Sequence, residues 1–240
     1  MSSATFYDNF IASQVESGIN DRIYGLYRRL CKMGLKDGSA VLEIGCGIGT
    51  LTYLLGRKVK QGRIEATDLS PKSVEYAKNH LQQPNLVFYA GDILQLEPQN
   101  KLFDYILLFD VIEHIPVEDH AVLFKRIYRW MKDDSWLLIN IPNPGYILFD
   151  QENNPAALQE LDQPVYLDHL APVLGNAGLE ISQFETYSVW VQNDYQFIAV
   201  KKRKKFEERF LSKERNLFQK GVAWLGRKRR KLLYPYTRKP

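Results

Sequence analysis

Hydrophobic and polar positions change their period repeatedly along this chain, and each change marks an element. Five short runs, Val41 to Ile44, Arg63 to Asp68, Leu86 to Ala90, Phe103 to Phe109 and Ser135 to Ile141, have strand length, and several of them end on glycine or a carboxylate. Between them the apolar positions recur at helical spacing. Thr50 to Lys58 reads as a helix, as does Pro71 to Leu81, opened by Ser70 as cap and Pro71 at the first helical position, with Val74, Ala77 and Leu81 on its face. Val117 to Met131 is a third, with Val122, Leu123, Ile127 and Trp130 inward. Ahead of the first strand, Tyr7 to Met33 predicts one or two helices, with apolar positions at 19, 23, 26, 27 and 30.

This alternation predicts an α/β fold: a doubly wound, mostly parallel sheet covered on both faces. Pro142-Asn143-Pro144-Gly145 breaks the chain after the fifth strand, and the proline-interrupted stretch to Pro164 reads as a substrate loop or flap. A helix from Tyr166 to Ala177, closed by Gly178, precedes two long strands, Leu179 to Trp190 and Tyr195 to Val200, around Gln192-Asn193-Asp194. The expected division is a helical lid or substrate segment at 1–39, the sheet domain at 40–200 and a tail at 201–240.

Composition changes the picture at one point. The chain's 240 residues, 45% hydrophobic and 25% charged, are those of an ordinary globular protein, and two cysteines, Cys31 and Cys46, supply no disulfide framework. No apolar run approaches the roughly 18 residues of a membrane span, and the first ten residues lack a signal-peptide layout, so a cytoplasmic location is expected. The net charge of +4, however, is unevenly spread. Residues 201–240 hold 16 Lys and Arg against 3 Glu, whereas residues 1–200 hold 16 basic against 25 acidic side chains. In the tail Phe206, Phe210, Leu217, Phe218, Val222 and Leu225 recur near helical spacing among the cations. Such a basic amphipathic helix suits an anionic membrane surface, and a nucleic-acid backbone would attract it as well.

The candidate chemistry begins where the first strand ends. Val-Leu-Glu-Ile-Gly-Cys-Gly-Ile-Gly, residues 41–49, is a strand breaking into alternating glycines ahead of a helix. Glycines there open backbone angles closed to other residues and let the main chain approach a ligand, while the helix presents free amides to the same place. The dinucleotide fingerprint wants its third glycine at position 50, which is threonine, and the lysine of a phosphate-cradling loop is missing. Acidic residue, any residue, then Gly-x-Gly-x-Gly resembles the first motif of the class I S-adenosylmethionine-dependent methyltransferases, on Glu43, Gly45, Gly47 and Gly49.

That resemblance extends through Asp68, Gly91-Asp92-Ile93 and the segment Asp110-Val-Ile-Glu-His-Ile115. It implies a seven-stranded sheet completed by an antiparallel sixth and seventh strand. It also implies S-adenosylmethionine as cofactor, with S-adenosylhomocysteine as product. Asp68 would accept from the ribose hydroxyls, Asp92 would take the adenine amine with Ile93 beside the ring, and Cys46, Leu69 and Phe109 would complete the cofactor wall. His114 is the candidate base, since imidazole titrates near neutrality, and Glu113 orients it or faces the substrate.

Three readings follow. The first is methyl transfer to an oxygen of a small molecule, sugar or lipid-linked glycan. The second is methylation of an RNA ribose, for which Asp110, Glu113, His114 and the distant His169 resemble an incomplete metal set; no metal is expected. The third is a non-catalytic module that keeps the cofactor fold and docks through its tail. The Asn-Pro-Pro-aromatic motif of amino-directed enzymes is replaced here by Asp110-Val-Ile-Glu.

Overall fold

The structure is a computed structural model that describes residues 11–155, 158–159, 161–208 and 216–234. Tyr7 to Phe10, expected to open the first helical segment, and Phe210 in the tail lie outside the described residues. The chain divides into two units, residues 1–203 and 204–240.

The first unit runs α1 (Ile11–Ser17), α2 (Asp21–Lys32), β1 (Ala40–Ile44), α3 (Thr50–Lys58), β2 (Arg63–Asp68), α4 (Pro71–His80), β3 (Leu86–Ala90) and β4 (Phe103–Phe109). It continues through α5 (His120–Trp130), β5 (Met131–Pro142), α6 (Pro144–Asn153), α7 (Leu167–Asn176), β6 (Leu179–Tyr187) and β7 (Tyr195–Lys202). The strands form one seven-stranded sheet in the order β3-β2-β1-β4-β5-β7-β6. β7 runs antiparallel to both neighbours, and the other pairings are parallel. The chain reverses its direction of winding between β1 and β4, so the carboxyl ends of those strands diverge into a crevice, the usual ligand position in an open α/β sheet.

Both faces of the sheet are covered because the central strands are apolar on both sides. Leu42, Ile44, Ile106, Leu108, Ile139 and Ile198 pack under α5 and α7 through Leu123, Phe124, Ile127, Leu170 and Leu174. On the other face Val41, Leu107, Leu138 and Phe197 meet Leu26 and Leu30 of α2 and Leu55 of α3. A smaller cluster of Ala66, Phe88, Val74 and Ala77 seats α4.

Several elements depart from the reading of the sequence. Residues 142–164 contain a helix, because Asn143 caps it by accepting from the Gly145 amide at 2.9 Å and Pro144 occupies the first turn, where a missing N–H costs nothing. The sixth strand ends at Tyr187 rather than Trp190. Beyond it the buried Asp194 carboxylate collects the amides of Val189, Trp190 and Val191 at 2.8, 2.9 and 3.1 Å and curls the chain out of the sheet. α5 begins at His120 after a 3₁₀ turn at Val117–Asp119, and its inward face carries Phe124, whereas Val122 is half exposed. His120, the first residue of this helix, is fully buried.

One buried group outside the crevice holds the β2 and β3 edge to the following loop. The Glu65 carboxylate is inaccessible and takes four donors: Arg63 Nε and Tyr89 Oη at 2.8 Å each, and the amides of Gln99 and Asn100 at 2.9 and 2.8 Å. Removing it takes the acceptor from two backbone amides and a partly buried hydroxyl together. Glu65→Ala is therefore expected to cost about 2–4 kcal/mol, read as a lowered urea midpoint with an unchanged slope; a loss below about 0.5 kcal/mol would show that this clamp does not hold the edge.

Candidate active site

The crevice is a cavity of about 470 Å³ at the carboxyl ends of β1, β2 and β4. Its floor is the turn after β1. Gly45, Gly47 and Gly49 all have positive φ, at 80°, 51° and 86°, and each excludes a side chain for a different reason. A Cβ on Gly45 would lie 2.3 Å from Val111 Cγ2, and one on Gly49 would meet Leu81 Cδ1 at 2.8 Å. A Cβ on Gly47 would stand 2.8 Å from Gln14 Oε1 of α1. The turn is thus pressed between the segment after β4, the helix after β2 and the N-terminal helix.

Hydrogen bonds fix its shape. The Thr67 carbonyl accepts from the amides of Gly45 and Cys46 at 2.7 and 3.0 Å, and Asp68 Oδ2 accepts from the Gly47 amide at 2.7 Å. Asp68 Oδ1 accepts from the Ser70 amide at 2.9 Å. Burial raises the Asp68 pKa, opposed by the amides that bond it. Asp92 lies at the end of β3, its Oδ1 accepting from the Leu94 amide at 2.9 Å, with Ile93 buried beside it.

Glu43 lines the cavity from below, with Thr52 Oγ1 donating to its Oε2 at 2.6 Å. Burial, with Asp68 nearby and against the Thr52 hydrogen bond, pushes its carboxyl up to about 8. Cys46 is buried and burial raises its thiol pKa well above the ordinary range, so the thiolate needed of a nucleophile is disfavoured. Leu69 and Phe109 also line the cavity, so ten of the sequence-chosen cofactor residues fall at the turn or along this wall.

The opposite wall belongs to the segment after β4. Asp110 takes the left-handed region, with φ at 55°, while its amide donates to Asn140 O at 2.7 Å. Its carboxylate pairs with Arg22 of α2, whose guanidinium lies 5.6 Å from both the Trp190 and Tyr195 ring centres. Ile112–His114 then forms a 3₁₀ turn. Asp110, in the left-handed region, lies outside that turn, so residues 110, 113 and 114 do not belong to one continuous helix.

His114 reaches the cavity, and its Nδ1 lies 2.6 Å from Leu161 O and 3.2 Å from Asp162 Oδ1. A carbonyl only accepts, so Nδ1 carries the proton and Nε2 is the basic nitrogen of the neutral ring. Burial lowers the His114 pKa, against the opposing effects of the Leu161 carbonyl and the Asp162 charge. The stretch carrying these partners is bound to the same turn through Gln163, whose amide donates to Glu113 O at 3.0 Å and whose Nε2 donates to Ile115 O at 2.8 Å. Sequence reasoning missed Asp162, which has no motif around it; the expected flap at 142–164 was its only signal.

Glu113 is placed otherwise than expected. It is 1% exposed, does not line the cavity, and both carboxyl oxygens lack a hydrogen-bond partner among the described residues. Its Oε1 stands 3.9 Å from His114 Nε2, too far for a hydrogen bond. Burial pushes its pKa up to about 8, with Asp162 adding to the effect and Arg22 opposing it. His169, considered as a metal nitrogen, lies 3.2 Å from His120 Nδ1. His120 Nε2–H is shared by Ile112 O and Ile115 O at 2.9 and 3.0 Å, tying the catalytic-side turn to α5. Among the described residues no group of three or more His, Cys, Asp and Glu is placed to hold a metal ion.

A glycine turn at the switch point, with acidic groups at the ends of β2 and β3, defines a nucleoside-binding α/β domain. Residues 41–134 match the family described as a methyltransferase domain. That match, with the relatives and solved structures below, supports a class I S-adenosylmethionine-dependent methyltransferase domain in this chain. It is 31% identical over 108 residues to (S)-coclaurine N-methyltransferase of Papaver somniferum, covering 44% of this chain and 30% of that protein. It is 30% identical over 176 residues to malonyl-[acyl-carrier protein] O-methyltransferase of Halalkalibacterium halodurans, covering 70% of this chain and 64% of the relative. Among solved structures, magnesium protoporphyrin IX methyltransferase from Synechocystis, with bound S-adenosylhomocysteine, superposes with a TM-score of 0.60 at 18% identity, over 75% of this chain and 82% of that one. The chain thus spans about a third of the length of the plant relative.

Two outcomes test this geometry. Gly45→Ala must displace Val111 while holding φ positive, for an expected loss of about 2–4 kcal/mol and of S-adenosylhomocysteine binding by calorimetry. Val111→Ala in the same chain should restore a large part of both, and no rescue would mean that contact is not what excludes the side chain.

The second concerns pH. Glu113 keeps its proton in the folded state up to about 8 but loses it near 4.5 when exposed, so the folded state binds the extra proton and stability falls as pH rises across that window. Glu43 contributes with the same sign. Glu113→Gln should make the fall in urea stability between pH 5.5 and 7.5 clearly smaller; an unchanged fall would mean Glu113 is ionised in the fold.

Proposed function

We propose that this chain transfers a methyl group from S-adenosylmethionine to a hydroxyl oxygen of a small molecule, sugar or lipid-linked glycan. The observation that carries the choice of oxygen is the His114 arrangement: a hydroxyl must lose its proton as it is methylated, and a base of fixed tautomer stands at the cavity wall. When bound, the cofactor supplies an activated methyl on a sulfonium, and the protein's work is to hold, orient and deprotonate.

Asp68 would accept from the ribose hydroxyls and Asp92 from the adenine amine, with Ile93, Leu69 and Phe109 against the ring. The glycine turn gives the main chain its close approach. His114 Nε2 takes the acceptor proton; Leu161 O and Asp162 keep Nδ1–H in place, and the Asp162 carboxylate stabilises the imidazolium that results. Arg22, Asp110 and Trp190 form the acceptor-side wall, and α1 and α2 act as the lid that keeps water out. A nitrogen acceptor is the competing reading, favoured by the N-methyltransferase relatives, and it has less need of a base at this position.

Incubation with labelled S-adenosylmethionine and fractionated extract, following label into lipid, glycan, RNA and small-molecule pools, identifies the acceptor. With it in hand, His114→Ala should lower kcat by about 10²–10⁴ while S-adenosylhomocysteine affinity stays within about twofold, and Asp162→Asn should lower kcat less. Because burial lowers the His114 pKa, wild-type kcat should be level through neutrality and decline only on the acid side of the ordinary imidazole value, as Nε2 protonates. Retention of more than about a tenth of turnover without His114 would reject the base and favour an acceptor that carries no proton to remove.

A further inference from the structure

We infer that the second unit is a docking helix for an anionic lipid surface. Helix α8, Leu217–Leu233, begins at a capping box in which Asn216 accepts from the Gln219 amide at 2.8 Å and Gln219 Oε1 accepts from the Asn216 amide at 3.2 Å. The start is therefore specified locally, and residues 203–208 ahead of it carry no regular structure. Phe206, included in the apolar spacing read from the sequence, lies in that stretch and outside the helix.

At about 100° per residue, Leu217, Phe218, Val222, Leu225, Leu232 and Leu233 fall within one half of the helix circumference. Arg227, Arg230, Lys220 and Lys231 fall on the other, while Lys228 and Arg229 fall within the apolar arc. The apolar half is bare: Leu217 is 88% exposed, Phe218 79% and Leu232 69%. The helix has six Lys and Arg and no Asp or Glu. Lys228 lies along the Trp224 face, its Nζ 4.1 Å from the ring centre, so its stem follows apolar surface while its charge stays at the edge.

These two faces select the partner. A phosphate backbone would engage the cations but leave the leucines and Phe218 in water. A protein groove would cover the apolar half but has no need of charged side chains that are all cationic. An anionic bilayer interface takes both at once, with the apolar side chains entering the acyl boundary and the cations meeting headgroup phosphates. No helix among the described residues is long and apolar enough to cross a membrane, so the helix lies in the interface plane. The inference does not rest on the methyl-transfer reading: docking and catalysis can fail separately.

Full-length protein is mixed with vesicles of phosphatidylcholine alone or with about a third phosphatidylglycerol, and with a single-stranded RNA 20-mer as a separate probe. Binding to the anionic vesicles, weak on the neutral ones, is expected. Arg227→Gln with Arg230→Gln should lower the partition coefficient about 25-fold, about fivefold for each cation, and Phe218→Glu with Leu225→Glu at least tenfold. S-adenosylhomocysteine binding, unchanged in both pairs, checks that the first unit is intact. Vesicle binding that the Phe218 and Leu225 pair leaves untouched, binding to RNA without binding to anionic vesicles, or binding to neither would overturn the inference.

Discussion

The site depends on a single join between neighbouring strands. β1 and β2 run in parallel register to Ile44 and Thr67, and there the ladder does not stop: the Thr67 carbonyl takes two further amides from the glycine turn, and the next residue, Asp68, takes the Gly47 amide on its carboxylate. The turn is thereby an extension of the sheet rather than a loop hung from it. Everything that approaches the cavity floor does so against this fixed backbone. Val111 closes on Gly45, Leu81 and Ala77 on Gly49, and Gln14 on Gly47, its Oε1 also accepting from the Ile48 amide at 3.2 Å. Elements from the amino end, from behind β2 and from behind β4 are positioned by one surface, which is how residues far apart in sequence come to share a cavity.

The same join explains the electrostatics. Glu43 sits under the turn, in a strand buried at all five positions, with only Thr52 to satisfy it. A carboxylate in such a place is disfavoured unless a cation arrives, so burial holds it protonated near neutrality. Asp68, one strand over, is also pushed up by burial but retains three backbone donors. A ligand bearing positive charge would meet two acids whose ionisation it favours. Across the cavity Asp110 already has its counter-ion in Arg22, and Glu113 is withdrawn behind the wall. The two sides are thus unlike: one carries acids awaiting charge, the other a settled ion pair and a neutral imidazole.

How far this was legible from the sequence follows from where the information lies. The strands and the glycine turn are local: apolar runs, positive-φ glycines and a capped helix with Pro71 at its start encode themselves within a few residues. The covering helices were legible as periods, and their errors are small-scale, such as Val122 exposed and Phe124 buried. The helix at 144–153 reads as a break when its prolines count as interruptions, although an Asn cap followed by proline is a start signal. The partners of His114 were not legible. Leu161 O and Asp162 are supplied by a stretch with no period, brought over the turn at 112–114 by Gln163 and shaped by long-range packing alone. His120 shows the same limit from the other side: nothing in its helix announces a buried imidazole, and only the two carbonyls of Ile112 and Ile115 explain it.

Those carbonyls carry the last step of the argument. A 3₁₀ turn of three residues leaves carbonyls unsatisfied within its own backbone. Here Ile112 O, which also takes the Ile115 amide at 3.2 Å, and Ile115 O both accept from His120, and the Glu113 carbonyl accepts from the amide of Gln163. The turn that presents His114 is therefore held from beneath by α5 and from above by the 161–163 stretch, while the ring itself is held by Leu161 and Asp162. A base works only if its lone pair is kept in one direction at the moment of transfer. Burial alone would leave the imidazole neutral but free to hold its proton on either nitrogen; it is the pairing of a carbonyl acceptor with a carboxylate at Nδ1 that leaves Nε2 as the basic nitrogen. That assignment requires the flap and the turn to be in place together, so the groups that fix the His114 tautomer lie in the segments the sequence marks least.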